Sequence, residues 1–296
     1  MKRIGVIDLG TNTFNLLIVD RKENGFIKVY STKEGVGLGL GGINKGLITD
    51  DAIQRGVDTL RRFLKKCDEL NVVNVKAIAT SAVRDAKNKD DFMALVEAEL
   101  QLEIEVVSGE REAQLIHQGV SLGYVFESPS LIMDIGGGST EFIYATLDKV
   151  IKSKSFNIGT SRMYELFDFQ DPLTNLDVVK VVDYLEKNTS GFFDDIEVEV
   201  LIGASGSFET FYALLNEREY PEDQFENLDS DVVLKVLDSI IYSTLKDRME
   251  NELIIPIRKK LVPIAAIKIK WVLEKLNCKT LTISPFALKE GLIEIV

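Results

Sequence analysis

One sequence feature constrains the fold of this chain most strongly. It is a predicted buried strand that ends on a carboxylate and runs into three consecutive glycines. Residues 131–141 read Leu-Ile-Met-Asp-Ile-Gly-Gly-Gly-Ser-Thr-Glu, and a second apolar strand is predicted over 142–147. Glycines adopt positive φ and carry no side chain, so successive backbone N–H groups can converge on an anion. Asp134 and Glu141 supply the oxygens that Mg²⁺ prefers. The pattern favours a phosphate loop beside a cation site over a glycine-rich hairpin whose acids face water.

The same arrangement occurs near the N-terminus, where Asp8 ends an apolar strand. Like Asp134, it is followed by one apolar residue, a glycine, a run of small polar residues and another strand. Two copies separated by the length of a small domain indicate a duplicated fold rather than a solenoid, whose repeats recur every ~20–50 residues. We therefore expect an α/β fold of two similar halves with a cleft between them.

The composition predicts a chain with a sizeable core and no general affinity for nucleic acid. Of the 296 residues 45% are hydrophobic, which suffices for one large domain or two ordinary ones. A net charge of −12 argues against a nucleic-acid binder. Cys67 and Cys278 lack metal-ligand spacing, so free thiols and a cytoplasmic location are expected. Asp8 interrupts the first apolar run and no run of about 18 apolar residues exists, so neither a signal peptide nor a membrane span is expected.

An arginine directly after a predicted strand is a candidate phosphate ligand. The strand covers 75–80, and Arg84 follows in Ser-Ala-Val-Arg-Asp-Ala. A guanidinium group at a strand end can hold phosphate through two parallel hydrogen bonds. A surface ion pair with Asp85 or Asp90 explains the same residue, and the sequence does not separate the two interpretations.

Two acids lie at the start of the helix that follows the predicted strand 102–107. The helix begins after a glycine, which places Glu110 and Glu112 at the rim of the sheet, where a cleft is expected. The alternative is that both acids merely favour the helix N-terminus through its dipole. His117, the sole histidine, is interpreted as a structural or surface residue of this helix.

Two further glycine-containing segments lead to different predictions. Residues 35–46 match the dinucleotide-binding pattern formally, but no helix opens at Gly42 and no βαβ unit surrounds it, so a flexible loop at the cleft mouth is expected. Residues 203–207, Gly-Ala-Ser-Gly-Ser, follow the predicted strand 198–202 and lead into a helix. Because helix N-termini accept anions readily, this is a third candidate phosphate loop.

Hydrophobic periodicity and cap residues predict the remaining elements. Thr49 is expected to cap a long helix whose buried face carries Val57, Leu60 and Cys67. The other predicted strands are 3–7, 14–20, 26–31, 150–156 and 280–284, and the other predicted helices are 90–101, 175–187, 231–246, 261–276 and 285–295.

Six of these stretches together resemble the exopolyphosphatase/guanosine pentaphosphate phosphohydrolase (Ppx/GppA) family of the actin-like, sugar-kinase-like superfamily. They lie at residues 7–16, 79–86, 107–116, 134–141, 203–207 and 284–292, in the order of the family. The most specific signal is Ser-Gly-Glu-Arg-Glu-Ala at 108–113 ahead of Asp-Ile-Gly-Gly-Gly-Ser-Thr-Glu. The family position of the glycine run at 35–39 often carries arginine where this chain has Gly37, and residues 256–263 fit the arginine-bearing segment only loosely.

The resemblance implies two ribonuclease-H-like domains with mixed sheets and an interdomain cleft. Domain I would comprise residues 1–123 with 285–296, and domain II residues 124–284. The length resembles the short, two-domain form of the family, without the helical C-terminal region of longer members.

The resemblance also implies roles for individual residues. Glu112 would be the general base for the attacking water, with Glu141 assisting, and Asp8, Asp134 and Glu141 would hold Mg²⁺. The phosphate-binding residues would be Thr11, Asn12, Thr13, Arg84, Gly136, Gly137, Gly138, Ser139, Ser205, Gly206 and Ser207.

The substrate implied is inorganic polyphosphate, hydrolysed at its terminal phosphoanhydride, and the alternative is the 5′-terminal phosphate of guanosine pentaphosphate. A nucleotide-gated filament or chaperone is an alternative of another class, and a sugar or acyl kinase is a third. The expected partners are the substrate and no nucleic acid or membrane, and a homodimer is left open.

Overall fold

The computed structural model describes residues 2–23, 25–221 and 223–294 of the chain. The chain divides into two compact units, Met1–Gly119 with Leu288–Val296 as unit 1 and Val120–Ala287 as unit 2. The first division falls inside a helix, Gly109–Ser121. Among the described residues, no helix combines the length and the apolar character that crossing a bilayer requires.

The strands alternate with helices for most of the chain. They are β1 (Lys2–Leu9), β2 (Thr13–Arg21), β3 (Phe26–Gly35), β4 (Asn74–Ala79), β5 (Ile104–Val106), β6 (Ser130–Ile135), β7 (Thr140–Ala145), β8 (Val150–Phe156), β9 (Val200–Gly203), β10 (Glu226–Asp229) and β11 (Thr280–Ile283). The helices are α1 (Asp50–Glu69), α2 (Ser81–Arg84), α3 (Lys89–Leu100), α4 (Gly109–Ser121), α5 (Thr160–Leu166), α6 (Asn175–Thr189), α7 (Gly206–Asn216), α8 (Ser230–Ile241), α9 (Leu245–Glu250), α10 (Val262–Leu276) and α11 (Leu288–Ile293).

The sheet of unit 1 is mixed and has the order β3-β2-β1-β4-β5. β1, β2 and β3 are antiparallel neighbours, whereas β4 is parallel to β1 and β5 is parallel to β4. The carboxyl end of β1 therefore lies at the same edge as the ends of β4 and β5. This arrangement brings Asp8, Arg84 and the start of α4 to one edge of the sheet.

The sheet of unit 2 repeats that order. It reads β10-β11-β9-β6-β7-β8, in which β6, β7 and β8 are antiparallel neighbours and β9 and β11 continue parallel to β6. Counted from β6, the strands β8-β7-β6-β9-β11 match β3-β2-β1-β4-β5, which is the ribonuclease-H-like order. The expectation of a duplicated α/β fold with two mixed sheets is thus confirmed. β10, a short antiparallel edge strand that the sequence did not indicate, is added beside β11.

Local sequence explains where α1 forms and what it buries. The Thr49 hydroxyl accepts a hydrogen bond from the Ala52 N–H at 3.4 Å, and two aspartates occupy the first turn. Val57, Leu60 and Cys67 are buried against the sheet, as their spacing predicts. Phe63 shares this buried face.

Two predicted helices differ clearly from the structure. The helix expected over 231–246 is two helices, because Thr244 and Asp247 form a capping box that starts α9 anew. The helix expected over 285–295 begins only at Leu288, and Ile295 lies outside the described residues.

The first part of the glycine run at 35–46 is anchored. Val36 and Leu38 are buried, and the guanidinium of Arg55 donates hydrogen bonds to the carbonyls of Val36 and Gly37 at 2.7 and 3.0 Å. The composition predicts a flexible loop over the whole run, but packing on α1 holds residues 36–38, and exposure begins at Leu40.

Candidate active site

The glycine loop between β6 and β7 has its carbonyl oxygens bound from one side. The N–H groups of Thr160 and Gly159 donate to Gly136 O and Gly138 O at 3.0 and 3.2 Å, and Gly137 O accepts two more hydrogen bonds from the first turn of α5. In a trans peptide the C=O and the following N–H point in opposite directions. The N–H groups of Gly137, Gly138 and Ser139 therefore point away from α5 together, as an anion cradle requires.

The structure corrects one member of the predicted cradle. The Gly136 N–H donates to Ser139 O at 3.1 Å and closes the turn, so it is not available to a phosphate. A Cβ on Gly159 would lie 2.2 Å from Gly137 O, so only glycine allows the support segment to approach the loop this closely.

The first loop of unit 1 is built in the same way. Asn12 O accepts hydrogen bonds from the N–H groups of Val36 and Gly37, both at 2.9 Å, and Thr11 O accepts one from Gly39 at 3.1 Å. The N–H groups of Asn12 and Thr13 consequently point away from the 36–39 segment. The glycine run thus supports this loop as α5 supports the other.

Asp134 and Glu141 lie directly opposite each other on β6 and β7. Glu141 is only 1% exposed, and its Oε1 accepts a 2.6 Å hydrogen bond from the Ser155 hydroxyl on β8, the residue opposite it in the sheet. Sequence reasoning missed Ser155, although alternating serines on a predicted strand beside the loop were a signal. The two carboxylates are thereby brought together beside the glycine loop.

A fully buried lysine lies behind this loop. Lys268 of α10 donates hydrogen bonds to Thr140 Oγ1 and, at 2.9 Å, to the carbonyl of Ile158. Burial lowers the pKa of Lys268 to about 7, while the charges of Glu141 and Asp134 act to raise it. The sequence indicated only an apolar helix here. The available signal was a lysine on the same helical face as Ile264 and Trp271.

An arginine contacts the third predicted phosphate loop. It is Arg258, from the segment 256–263 that fits the arginine-bearing segment of the family only loosely. Ser205 Oγ accepts a hydrogen bond from the Ile135 N–H at 3.3 Å, which ties the loop to the end of β6. The guanidinium of Arg258 lies so close to Gly206 that a Cβ there would be 1.8 Å from Arg258 Nη2. Arg258 Nη1 donates to Thr210 Oγ1 at 3.1 Å, and burial lowers the pKa of Arg258. The structure therefore adds Arg258 to the residues at the N-terminus of α7.

Asp8 carries a buried carboxylate oxygen for which the described residues supply no hydrogen-bond partner. Its Oδ2 accepts a 2.9 Å hydrogen bond from Asn15, whereas Oδ1 is buried and unsatisfied. Burial raises the pKa of Asp8 to about 6, and the hydrogen bond from Asn15 and the charge of Lys289 act against that rise. Lys289, on α11, belongs to the matched C-terminal stretch but was not singled out from the sequence. An orphaned, hard oxygen of this kind suits a divalent cation.

Arg84 and Glu112 contact each other in unit 1. Arg84 Nη1 donates to Glu112 Oε2 at 2.7 Å and to the carbonyl of Val107 at 3.2 Å. The alternative partner, Asp85, is at 3.8 Å from Arg84 Nε. Glu112 is 5% exposed, whereas Glu110, on the same helix terminus, is exposed. The helix dipole alone does not explain why only one of the two acids turns inward.

The three predicted Mg²⁺ ligands are carboxylates, which suit this cation. The structure shows only Asp134 and Glu141 side by side. Asp134 and Glu141 lie in unit 2 and Asp8 in unit 1. Within residues 2–23, 25–221 and 223–294, no group of three or more His, Cys, Asp or Glu side chains forms a ready metal site. The predicted ligands are hard oxygens, and the unsatisfied Asp8 Oδ1 has the chemistry of a divalent-cation ligand.

Fold and loops together define a duplicated ribonuclease-H-like protein with a carboxylate at the end of the first strand of each half and a tight glycine-containing turn after it. The sequence profile of the Ppx/GppA phosphatase family matches residues 17–294. The chain belongs to that family.

Several known proteins are similar over nearly the whole chain. An exopolyphosphatase of Cytophaga hutchinsonii, known from a crystal structure, is 35% identical, with 99% of this chain and 97% of that chain covered and a TM-score of 0.95. The bifunctional 3-dehydroquinate synthase/phosphatase of Fusobacterium nucleatum is 30% identical over 284 residues, or 90% of this chain and 42% of that protein. The guanosine-5′-triphosphate,3′-diphosphate pyrophosphatase of Aeromonas salmonicida is 27% identical over 290 residues, or 97% of this chain and 58% of that protein. The chain thus spans only about half the length of these two curated relatives.

Proposed function

We propose that this protein is a magnesium-dependent exopolyphosphatase that hydrolyses the terminal phosphoanhydride of inorganic polyphosphate and releases orthophosphate. The proposal rests on the two loops whose carbonyl oxygens accept hydrogen bonds from a supporting segment. Within each loop, the N–H groups therefore point away from that segment, as anion binding requires. Similarity to the Cytophaga exopolyphosphatase over nearly the full length of both chains supports the choice of substrate.

The chain's own residues supply the parts that hydrolysis of a phosphoanhydride needs. The oxygen of water bonds to the terminal phosphorus, the bond to the bridging oxygen breaks, and a proton of the water passes to Glu112. Arg84 holds the Glu112 carboxylate at 2.7 Å, which fixes the orientation of the base. Arg84, itself a predicted phosphate ligand, would thereby keep the base beside the bound phosphate.

The loops bind and orient the substrate phosphates. The N–H groups of Gly137, Gly138 and Ser139 would form one cradle and those of Asn12 and Thr13 the other. Ser205, Gly206 and Ser207 at the N-terminus of α7, with Arg258 against Gly206, would supply further positive potential.

Asp8, Asp134 and Glu141 would hold Mg²⁺, the unsatisfied oxygen of Asp8 being the most direct support for this role. When bound, Mg²⁺ spreads the negative charge of the transferred phosphoryl group. Ser155 would hold Glu141 in place, so that the carboxylate need not reorganise.

A specific observation keeps guanosine pentaphosphate as the second candidate substrate. The Aeromonas pyrophosphatase matches 97% of this chain, and the same three loops would serve a phosphoanhydride in either molecule.

The buried thiols Cys67 and Cys278, whose pKa burial raises to about 11, are consistent with a cytoplasmic location.

The test is a panel of orthophosphate-release assays, each with and without Mg²⁺. The substrates are polyphosphates of several lengths, guanosine pentaphosphate and ATP, with no acceptor present. We expect Mg²⁺-dependent release from polyphosphate. Release only from guanosine pentaphosphate would select the second candidate, and release that requires an acceptor would indicate a kinase. Pelleting with ATP in place of any release would indicate a nucleotide-gated filament.

A further inference from the structure

Lys268 is an unusual charged residue, because its whole side chain is buried in an otherwise apolar stretch of α10. Its neighbours along the helix, including Ile264, Ile267 and Trp271, are buried in the core of that unit. A buried ammonium group is costly unless hydrogen bonds and opposite charges compensate it. Both forms of compensation are present, and both come from residues of the glycine loop, the strands that flank it and the segment that supports it.

The hydrogen bonds of Lys268 join the two segments that shape the loop. Thr140, whose hydroxyl accepts one of them, is the first residue of β7 and follows Ser139 directly. Ile158, whose carbonyl accepts the other at 2.9 Å, immediately precedes Gly159, which donates to Gly138 O. The ammonium group therefore connects the end of the loop to the segment that binds its carbonyls.

The charge of Lys268 acts on the two carboxylates beside the loop. Glu141 and Asp134 are the charged groups whose fields oppose the effect of burial on this lysine. By reciprocity the lysine stabilises their ionised forms and adds positive potential at the loop. A positive charge at this place attracts phosphate and repels a divalent cation.

We propose that Lys268 is a positioning residue that sets the electrostatic balance of the glycine loop, favouring phosphate and limiting the affinity for the divalent cation while touching neither. This role rests on the proposed function, because it assumes that phosphate and Mg²⁺ bind at this loop. It also assigns a use to a buried lysine that the hydrolytic mechanism does not itself require.

The experiment measures the two affinities separately by calorimetric titration of the full chain. Lys268→Met removes the charge and the hydrogen bonds, and Lys268→Gln removes the charge but keeps a donor. The probes are Mg²⁺ alone and tripolyphosphate alone, at about pH 6, below the pKa of about 7 that burial gives Lys268. Lys270→Met is the matched control, since Lys270 lies on the same helix but pairs with Asp238 at 2.6 Å.

Opposite shifts are expected for the two probes. Loss of one nearby charge should tighten Mg²⁺ binding and weaken tripolyphosphate binding, each by about threefold to thirtyfold, with Lys268→Gln showing the same signs. Lys270→Met should change neither affinity. A purely structural lysine predicts instead that both affinities fall together with the thermal midpoint, and that outcome would overturn the proposal.

Failure of this inference and failure of the proposed function give different results. If the unmodified protein releases no orthophosphate but the two affinities still shift in opposite directions, the function is wrong and the role of Lys268 stands. If it hydrolyses polyphosphate while both affinities fall in parallel in Lys268→Gln, the function stands and the role is wrong. If Lys268→Met does not fold, the sign of the two shifts in Lys268→Gln decides.

Discussion

Replacing Glu112 by glutamine tests the assumption on which the proposed mechanism depends most, that Glu112 is the general base. The change keeps the shape of the side chain and one oxygen, but it removes the negative charge that Arg84 contacts at 2.7 Å and the basicity that would accept a proton from water. The two consequences affect different measurements, turnover and stability, so they can be separated.

The expected loss of turnover follows from the chemistry of the base. General-base catalysis contributes about 10²–10⁴ in rate, so kcat should fall by that order in Glu112→Gln. Because phosphate binding by the loops does not use Glu112, KM should change much less. Loss of kcat with a nearly constant KM is the signature of a group that acts mainly in the transition state.

The expected loss of stability follows from the ion pair. Two unit charges about 4 Å apart attract by about 4 kcal/mol at an effective dielectric constant of about 20, and much of this is offset by desolvation. Glu112 and Arg84 have only 7% and 19% of their side chains exposed, so solvent screens the pair weakly. A charged hydrogen bond lost in such a place costs about 1–3 kcal/mol of unfolding free energy.

Glu110→Gln is the matched control, because it changes the same residue type at the same helix terminus. Glu110 is exposed, and only its interaction with the helix dipole should be lost, about 0.3–1 kcal/mol, with normal turnover. The assays are orthophosphate release under saturating Mg²⁺ and urea unfolding of both variants. Normal turnover in Glu112→Gln would refute its role as the base, and a dead Glu110→Gln beside an active Glu112→Gln would show that the alignment with the family is shifted.

Four further predictions concern the cation, its ligands and the phosphate loops. Exhaustive chelation should abolish phosphate release and added Mg²⁺ should restore it, whereas full activity after chelation would remove the metal from the mechanism. Asp8→Asn should abolish Mg²⁺ binding yet raise the metal-free unfolding free energy at pH 7 by up to about 3 kcal/mol. Burial raises the pKa of Asp8 to about 6, so the unmodified protein loses unfolding free energy as the pH rises from about 4 to 6 and this side chain ionises. Calorimetry with Mg²⁺ and unfolding at several pH values check the two effects. Ser155→Ala should weaken Mg²⁺ binding about 10–100-fold, with Ser153→Ala on the same strand as the control, and equal effects of the two would point to the strand rather than the hydroxyl. Gly206→Ala should displace Arg258 and raise KM about tenfold with little change in kcat, since one guanidinium–phosphate contact is worth about 1–3 kcal/mol, and an unchanged KM would exclude Arg258 from substrate binding.

Local features of the sequence were sufficient to predict many of the elements and the duplicated fold. An apolar run that ends on an acid before glycine identifies β1 and β6, because strand and turn are dictated by the residues within them. Threonine caps are equally local: Thr49 predicts the start of α1, and Thr244 with Asp247 has the spacing of the capping box that divides α8 from α9. The short strand β10 offered no such signal, since its pairing with β11 rather than its own residues makes it a strand.

The contacts that shape the candidate site join residues far apart in the chain, and only the tertiary structure decided them. Lys268 meets a hydroxyl 128 positions away, and Arg258 meets a hydroxyl 48 positions away. Local context left two interpretations open for both Arg84 and Glu112, and only the family resemblance implied their roles. Their contact depends on β4 and β5 lying side by side. The sequence by itself determined which short segments can form strands, caps and glycine turns, because those depend on neighbouring residues. It could not determine which buried charges compensate one another, because that depends on the packing of the whole unit.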